Sequence, residues 1–416
     1  MNEQNSPDVP KGDSASEQNQ ADRSAGTLNR QQIQSLLGDP TPRQTSASLA
    51  TPGDPFANLG FNTRLTREYG VRLPFVGAGM GFVGVPQLVA AVSNAGGIGV
   101  LGNAIEPPPG TQILIQQIKT LTSKPFGVDF IFDDSAFGPA TTDAHIDVCI
   151  AEGVKLVVFH MNVPPKAWVD RLHDAGAKVW MQAGSVKTAV DAVGIGIDAI
   201  IAQGAEAGGH NKSTTPLVKL LPQIIKAVKP AMVLAAGGIA DGLGVFNALV
   251  GGAEGVWVGT RLVASTEAYA SAEYKRRLTT AGANSTVTTT MFGPEYPGRP
   301  YSVLRNRIVN EFAGREDQIP VPPPPPATIG KTVLFPLTLK QPYEMPKFSA
   351  IVPTPDTVGD FEEMGMPAGA GVKVIRDIRP AAQIVATMMA ETRLLLERQL
   401  IGGVRPNMEL AGSDKT

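Results

Sequence analysis

Between residues 75 and 262 the chain alternates between eight short apolar runs and the seven stretches of helical periodicity that separate them, and few folds accommodate that pattern. The strand-like runs are 75–80, 98–101, 126–132, 156–161, 179–183, 199–203, 232–236 and 255–258. Helix-like segments follow at 86–95, 112–121, 143–152, 165–176, 186–193, 217–228 and 242–250. The first shows the logic: Leu88, Ala91, Val92 and Ala95 share one face, Pro86 opens the segment and Gly96-Gly97 closes it. Strands that alternate with helices must lie parallel, and eight such units suit a closed (β/α)8 barrel better than an open doubly wound sheet. In that barrel, chemistry sits at the C-terminal strand ends, and the loops after strands seven and eight commonly hold a phosphate.

Those strand ends are where small residues and imidazoles gather. The sixth run breaks at Gln203-Gly204 into Ala205-Glu206-Ala207-Gly208-Gly209-His210, a loop with little bulk and one imidazole at its far end. The seventh ends in Gly237-Gly238 and the eighth in Gly259-Thr260. Backbone N–H groups and one hydroxyl there suit a phosphate, because a Cβ would block close approach; the plainer reading is that Gly238 and Gly259 only permit tight turns. His210 suits proton transfer near neutral pH. His160 ends the fourth strand on the same barrel face, where a role at substrate and a packing role are both open. His145 and His173 fall within helix-like segments and read as structural. The four histidines lack metal-ligand spacing, so no metal is expected.

The remainder of the 416 residues is organised around this unit. Residues 1–58 are rich in Ser, Gln, Asn, Asp and Pro and read as a disordered tail with a short helix at 30–37. No signal peptide is expected there, and Asp8, Asp13, Glu17 and Asp22 make it too acidic for a transit peptide. The barrel is expected over 59–262, a cap over its mouth at 263–360, a docking segment with an amphipathic helix at 361–403, and a disordered tail at 404–416. Within the cap, 267–281 and 303–312 read as helices and 321–326 as an extended polyproline spacer. A net charge of −2 carries no footprint for nucleic acid or an anionic membrane, and no apolar run reaches the length of a span, so a cytoplasmic protein is expected. The single cysteine, Cys149, lies in an apolar run and excludes an intrachain disulfide or a cysteine-based metal cluster. Oligomeric state is open, with a homodimer as the working expectation.

Six ordered motifs carry a resemblance over residues 61–400. Residues 74–79 with Ala91-Val92-Ser93-Asn94-Ala95-Gly96-Gly97-Ile98-Gly99 form the first, and Pro125-Phe126-Gly127-Val128-Asp129 the second. Val158-Phe159-His160-Met161-Asn162-Val163-Pro164 and the run from Gln203 to His210 follow. Gly237-Gly238-Ile239-Ala240-Asp241-Gly242 and Gly259-Thr260-Arg261 complete the set. Together they resemble the nitronate monooxygenases, FMN-dependent barrel enzymes. The resemblance implies His210 over the flavin, contacting or deprotonating substrate, with His160 as the second catalytic candidate. It implies cofactor contacts from Ala78, Gly79, Met80, Asp129, Gln203, Gly208, Gly209, Gly237, Gly238, Trp257, Val258, Gly259 and Thr260. The implied reaction is oxidation of a nitronate or nitroalkane by O2.

Several positions depart from the family pattern. Asp129 stands where Asn is usual, Gly77 and Gly79 replace Gln and Pro, Lys212 replaces Gly, and Ala370 replaces Gln in Ala368-Gly369-Ala370. These bear on the substrate more than on the fold or cofactor. The opening motif is also similar to barrel flavoproteins that reduce quinones with NADH. An NAD(P)H-dependent quinone or enoyl-thioester reductase therefore stands as the same-fold alternative. A non-catalytic barrel that binds a phosphorylated ligand is the alternative of another class.

Overall fold

The computed structural model describes residues 28–37, 60–293, 295–319 and 327–401. Its centre is a closed barrel of eight parallel strands: β1 (Phe75–Gly77), β2 (Ile98–Asn103), β3 (Phe126–Phe132), β4 (Leu156–Met161), β5 (Lys178–Ala183), β6 (Ala199–Gln203), β7 (Met232–Ala236) and β8 (Val256–Val258). Each strand pairs with its neighbours in sequence, and β1 closes the ring on β8 through Val76 opposite Trp257. The first strand is shorter than the sequence suggests, because Ala78, Gly79 and Met80 turn away to line the mouth.

Side chains alternate between two cores, as the two-residue period of a strand requires. Val76, Val100, Val158, Trp180, Ile201, Leu234 and Trp257 fill the barrel interior. Phe75, Phe159, Met181, Ile200, Val233 and Val258 point outward into the layer between strands and helices. Cys149 lies fully buried in that outer layer, where desolvation pushes its thiol well above the usual range.

The short helix expected at 30–37 is present, and residues 28–37 correct only the expectation that the tail around it does not pack. Helix Arg30–Leu36 is closed by a capping box between Asn29 and Gln32, and Ile33 is 1% exposed within the main core. The Leu36 carbonyl also accepts from the Asn62 amide at 2.9 Å. The segment offers one docking residue rather than a face, so composition could reveal the helix but not its docking. The rest of 1–58, the polyproline run and 404–416 lie outside the described residues.

Beyond the barrel, two expected helices are trimmed. Ser271 caps a helix at Ala272–Thr280, and the segment read as 303–312 divides into a strand, Tyr301–Leu304, and a helix, Arg307–Phe312, capped by Asn306. Tyr301–Leu304 pairs antiparallel with Thr286–Thr289 on one side and with Gly209–His210 on the other. This pairing ties the region after the barrel to the loop after β6. Helix Ala381–Leu400 packs back on helix Gly242–Val250, where Glu391 Oε2 accepts from the Gly242 amide at 2.9 Å. No helix among the described residues is long and apolar enough to cross a membrane.

Candidate functional site

The C-terminal strand ends surround a cavity with ≈ 1250 Å³ of free space, counted to its open edge. Ala78, Gly79, Met80, Asp129, His160, Gln203, Gly208, Gly209, His210, Gly237, Gly238, Trp257, Gly259 and Thr260 all line it. Val258 does not. It is 1% exposed in the outer layer because it follows the inward-facing Trp257 on β8, so it is corrected to a packing residue. Ala370 is likewise absent from the lining, and its amide donates to the Glu206 carbonyl at 2.9 Å, holding residues 368–371 against the β6 loop.

The glycines after β7 and β8 serve different needs. Gly237 and Gly238 have φ of +114° and +71°, which an L side chain rarely adopts. Gly259 has φ of −107°, open to any residue, and a Cβ added there would meet nothing nearer than Ala78 Cβ and Met80 Sδ at 3.7 Å. Glycine at 259 therefore leaves space in the cavity rather than making the turn. Thr260 Oγ1 accepts from the Gly369 amide at 3.1 Å and keeps its own proton to donate.

Opposite these glycines the strand period brings polar groups inward. Asp129, His160, Gln182 and Gln203 occupy the inner phase of β3, β4, β5 and β6 at the mouth. Gln182 Nε2 donates to Asp129 Oδ2 at 3.1 Å, while Asp129 Oδ1 is buried without a hydrogen-bond partner. Burial raises this carboxyl well above the usual carboxylate range, with the Gln182 bond opposing. Gln182 escaped the sequence reading, although its position two residues after the interior Trp180 signals it.

The two imidazoles form one unit. His160 Nε2 faces the His210 carbonyl at 2.9 Å, and since a carbonyl only accepts, Nε2 carries the proton. Burial lowers His160 to about 4, aided by the Lys212 charge, and burial and His160 lower His210 to about 4. Both rings are therefore neutral at pH 7, and each has a buried Nδ1 with no partner. Tyr301 stacks on His210 with centroids 4.4 Å apart and planes at 28°, and Tyr296 meets it edge-on at 5.1 Å. Both tyrosines line the cavity, and the Tyr296 hydroxyl is buried and unpartnered. Neither shows in the sequence: Tyr301 reaches His210 through strand pairing distant along the chain, and Tyr296 from the loop preceding that strand. His145, as expected, is structural: Nδ1 accepts from the Thr142 amide at 3.0 Å and Nε2 donates to the Glu106 carbonyl at 2.9 Å.

A buried carboxylate fixes this aromatic wall. Glu295 accepts from Tyr343 Oη at 2.8 Å, Ser349 Oγ at 2.5 Å and the Ala350 amide at 2.7 Å. Ala350 lines the cavity, and its carbonyl accepts from Tyr301 Oη at 3.2 Å.

The sequence pattern that defines the nitronate monooxygenases matches residues 62–391, most of the chain and all of this site. The chain belongs to the nitronate monooxygenase family. Like its relatives it is an enzyme, a flavin oxidoreductase of that family. A probable nitronate monooxygenase of Staphylococcus aureus is 32% identical over 296 residues, covering 62% of this chain and 82% of that protein. A 5-hydroxy-7a-methyl-1-oxo-octahydro-1H-indene-4-carboxyl-CoA dehydrogenase of Mycobacterium tuberculosis is 37% identical over 256 residues, covering 61% and 69%. Among solved structures, FabK of Thermotoga maritima superposes with a TM-score of 0.66 at 30% identity, covering 82% of this chain and 99% of its own. Nitroalkane oxidase of Streptomyces ansochromogenes gives 0.65 at 28% identity, covering 79% and 98%. Family members thus share the barrel while their names span more than one oxidoreductase reaction.

Proposed function

We propose that the protein binds FMN and oxidises alkyl nitronates with O2 to carbonyl compounds and nitrite. The observation that carries this reading is the pair of neutral imidazoles, each with a free Nδ1, buried across the cavity from a glycine-lined recess. The similarity to nitroalkane oxidase supports it. The residues fit a flavin carrying one terminal phosphate. The recess at Gly237, Gly238 and Gly259 admits an anion close to backbone N–H groups, Thr260 can donate a hydroxyl, and Asp129 Oδ1 lacks a partner that a ring edge would supply.

FMN, when bound, supplies the redox chemistry, taking electrons from an electron-rich carbon in company with O2. The protein supplies position, dryness and proton handling. His210 Nδ1 removes the carbon-bound proton when the substrate arrives as a neutral nitroalkane, and a nitronate, already ionised, needs only contact. Neutral imidazole is the competent form for this step. Tyr296 and Tyr301 close the cavity above His210 and exclude water.

The similarity to FabK and to the CoA dehydrogenase favours a second reading, an NAD(P)H-dependent reductase of a quinone or an enoyl thioester. One experiment separates them. Anaerobic protein is mixed with NADH and, separately, with propyl nitronate, and the flavin absorbance is followed; the cofactor is then released by heat and weighed by mass spectrometry. Bleaching by the nitronate and a mass of FMN are expected. Bleaching by NADH alone replaces the proposal with the reductase, and a colourless protein that takes up no FMN replaces it with a binding barrel.

A further inference from the structure

Four buried polar atoms around the main cavity have no hydrogen-bond partner: Asp129 Oδ1, His160 Nδ1, His210 Nδ1 and the Tyr296 hydroxyl. The two imidazoles can be assigned a direction. His160 carries its ring proton on Nε2, toward the His210 carbonyl, so its Nδ1 only accepts. The His210 ring donates to the Pro300 carbonyl. Nδ1 is the nitrogen without a partner, so the donor is Nε2 and this Nδ1 also only accepts. Both rings thus offer the cavity a lone pair and no proton. Among the described residues, no lysine or arginine lines it.

A substrate whose polar end consists of oxygens needs a donor beside these rings. The amides of Gln182 and Gln203 turn to Asp129 and to the His210 carbonyl, at 3.1 and 3.4 Å. Thr260 has a hydroxyl to donate, but at the end of β8 beside the glycine recess. Three tyrosines line the cavity, and two are committed: Tyr274 donates to the Pro367 carbonyl, and Tyr301 to the Ala350 carbonyl at 3.2 Å. The Tyr296 hydroxyl alone among the three keeps its proton free. Burial raises it above the usual tyrosine range, with the Asp133 and Glu295 charges adding. A hydroxyl buried in this way destabilises the fold unless a ligand meets it.

The Tyr296 ring is anchored from both sides. Glu295, just before it, holds Tyr343, Ser349 and the Ala350 amide through its carboxylate, and its carbonyl accepts from the Ala136 amide at 2.9 Å. Just after it, Arg299 pairs with Asp133 at 2.7 Å, and the Arg299 amide donates to the Tyr296 carbonyl at 3.4 Å. The ring so held meets His210 edge-on at 5.1 Å. A donor fixed in advance beside the base needs no rearrangement when charge develops on the substrate.

We propose that Tyr296 is a catalytic residue that hydrogen-bonds a nitro oxygen of the substrate while His210 Nδ1 takes the carbon-bound proton. This rests on the nitronate reading of the site. In the step the C–H bond breaks, its electron pair forms the C=N bond, and an N–O π pair moves onto the oxygen that Tyr296 meets. The proton ends on His210 as imidazolium, and Tyr296 keeps its own.

The test compares flavin-loaded wild type with Tyr296→Phe, which keeps the ring against His210 and removes only the hydroxyl. Turnover is measured with nitroethane, with nitroethane deuterated at the reacting carbon, and with ethyl nitronate. Propionate, an unreactive planar anion of similar shape, is titrated against the flavin spectrum. In the variant, kcat/KM for nitroethane should fall by ~10²–10³-fold, with the deuterium isotope effect kept or enlarged because proton removal stays slow. The nitronate, with no proton to lose, should suffer less, and propionate should bind about tenfold more weakly. An unchanged nitroethane rate overturns the proposal. A slower rate with a diminished isotope effect also overturns it, making Tyr296 a wall whose change slows another step. If the wild type turns over neither nitroethane nor its nitronate, the nitronate reading falls and propionate decides the donor by itself. Weaker binding to Tyr296→Phe then keeps the hydroxyl as the oxygen donor, and equal binding removes it.

Discussion

Asp129 is the residue whose environment most departs from what its side chain prefers. Buried beside Gln182 with one oxygen unpartnered, it holds its proton well above the usual carboxylate range. The folded state therefore keeps a proton that the unfolded chain releases near pH 4. Stability must fall as pH rises from that value through the folded one. Asp129→Asn removes the term while keeping an acceptor for Gln182 Nε2. The variant should melt higher than the wild type at pH 8, and the gap should close below about pH 4; parallel melting curves across this range would show that the carboxyl is not held neutral. His210 presents the converse case, an imidazole kept unprotonated by burial. His210→Asn should retain FMN but lower nitrite release from a neutral nitroalkane by ~10²–10⁴-fold. The loss with the corresponding nitronate should be smaller, because no carbon-bound proton remains to be moved. Equal and unimpaired rates with both substrates would remove His210 from the mechanism and leave His160 as the next candidate. Since His210 is lowered to about 4, its own titration leaves activity level between pH 6 and 8.

At the scale of elements, short-range pattern and long-range docking separate cleanly. The barrel strands and their helices announce themselves through period and stop signals, and the structure places all eight strands where the apolar runs lie. Helix Arg30–Leu36 is also expected, but its docking is not, because a single isoleucine among polar residues gives no apolar face. Its packing depends on a surface made by helix Ala381–Leu400 and the barrel. Ile33→Ala should cost about 2–5 kcal/mol, the range for an isoleucine emptied from a packed core, and lower the melting temperature by several degrees in calorimetry. An unchanged melting temperature would show the helix to be dispensable. The segment Tyr301–Leu304 teaches the same lesson from the other side. Read as part of a helix, it becomes a strand because Thr286–Thr289 and Gly209–His210 offer it backbone partners on both edges.

For the whole molecule, the barrel and the inward-facing set at its mouth were legible from local order. Asp129, Trp257 and Val258 entered the candidate set through the family resemblance. The two-residue period of the strands is what places Asp129, His160, Gln203 and Trp257 inward and Val258 outward, and on the fifth strand it brings in Gln182 as well. Glycine pairs at the ends of β7 and β8 marked the recess, though only the backbone angles distinguish Gly237 and Gly238, which need a left-handed turn, from Gly259, which keeps space clear. The eightfold βα alternation alone determined the closed parallel barrel, because alternating elements of that length can bury both faces of a sheet in few other ways. Only the tertiary structure decided that Tyr296 and Tyr301 enclose His210 and that His160 is bonded to the His210 carbonyl. Those contacts join residues far apart in the chain, and their geometry exists only after the barrel has closed and the region beyond it has folded across the mouth.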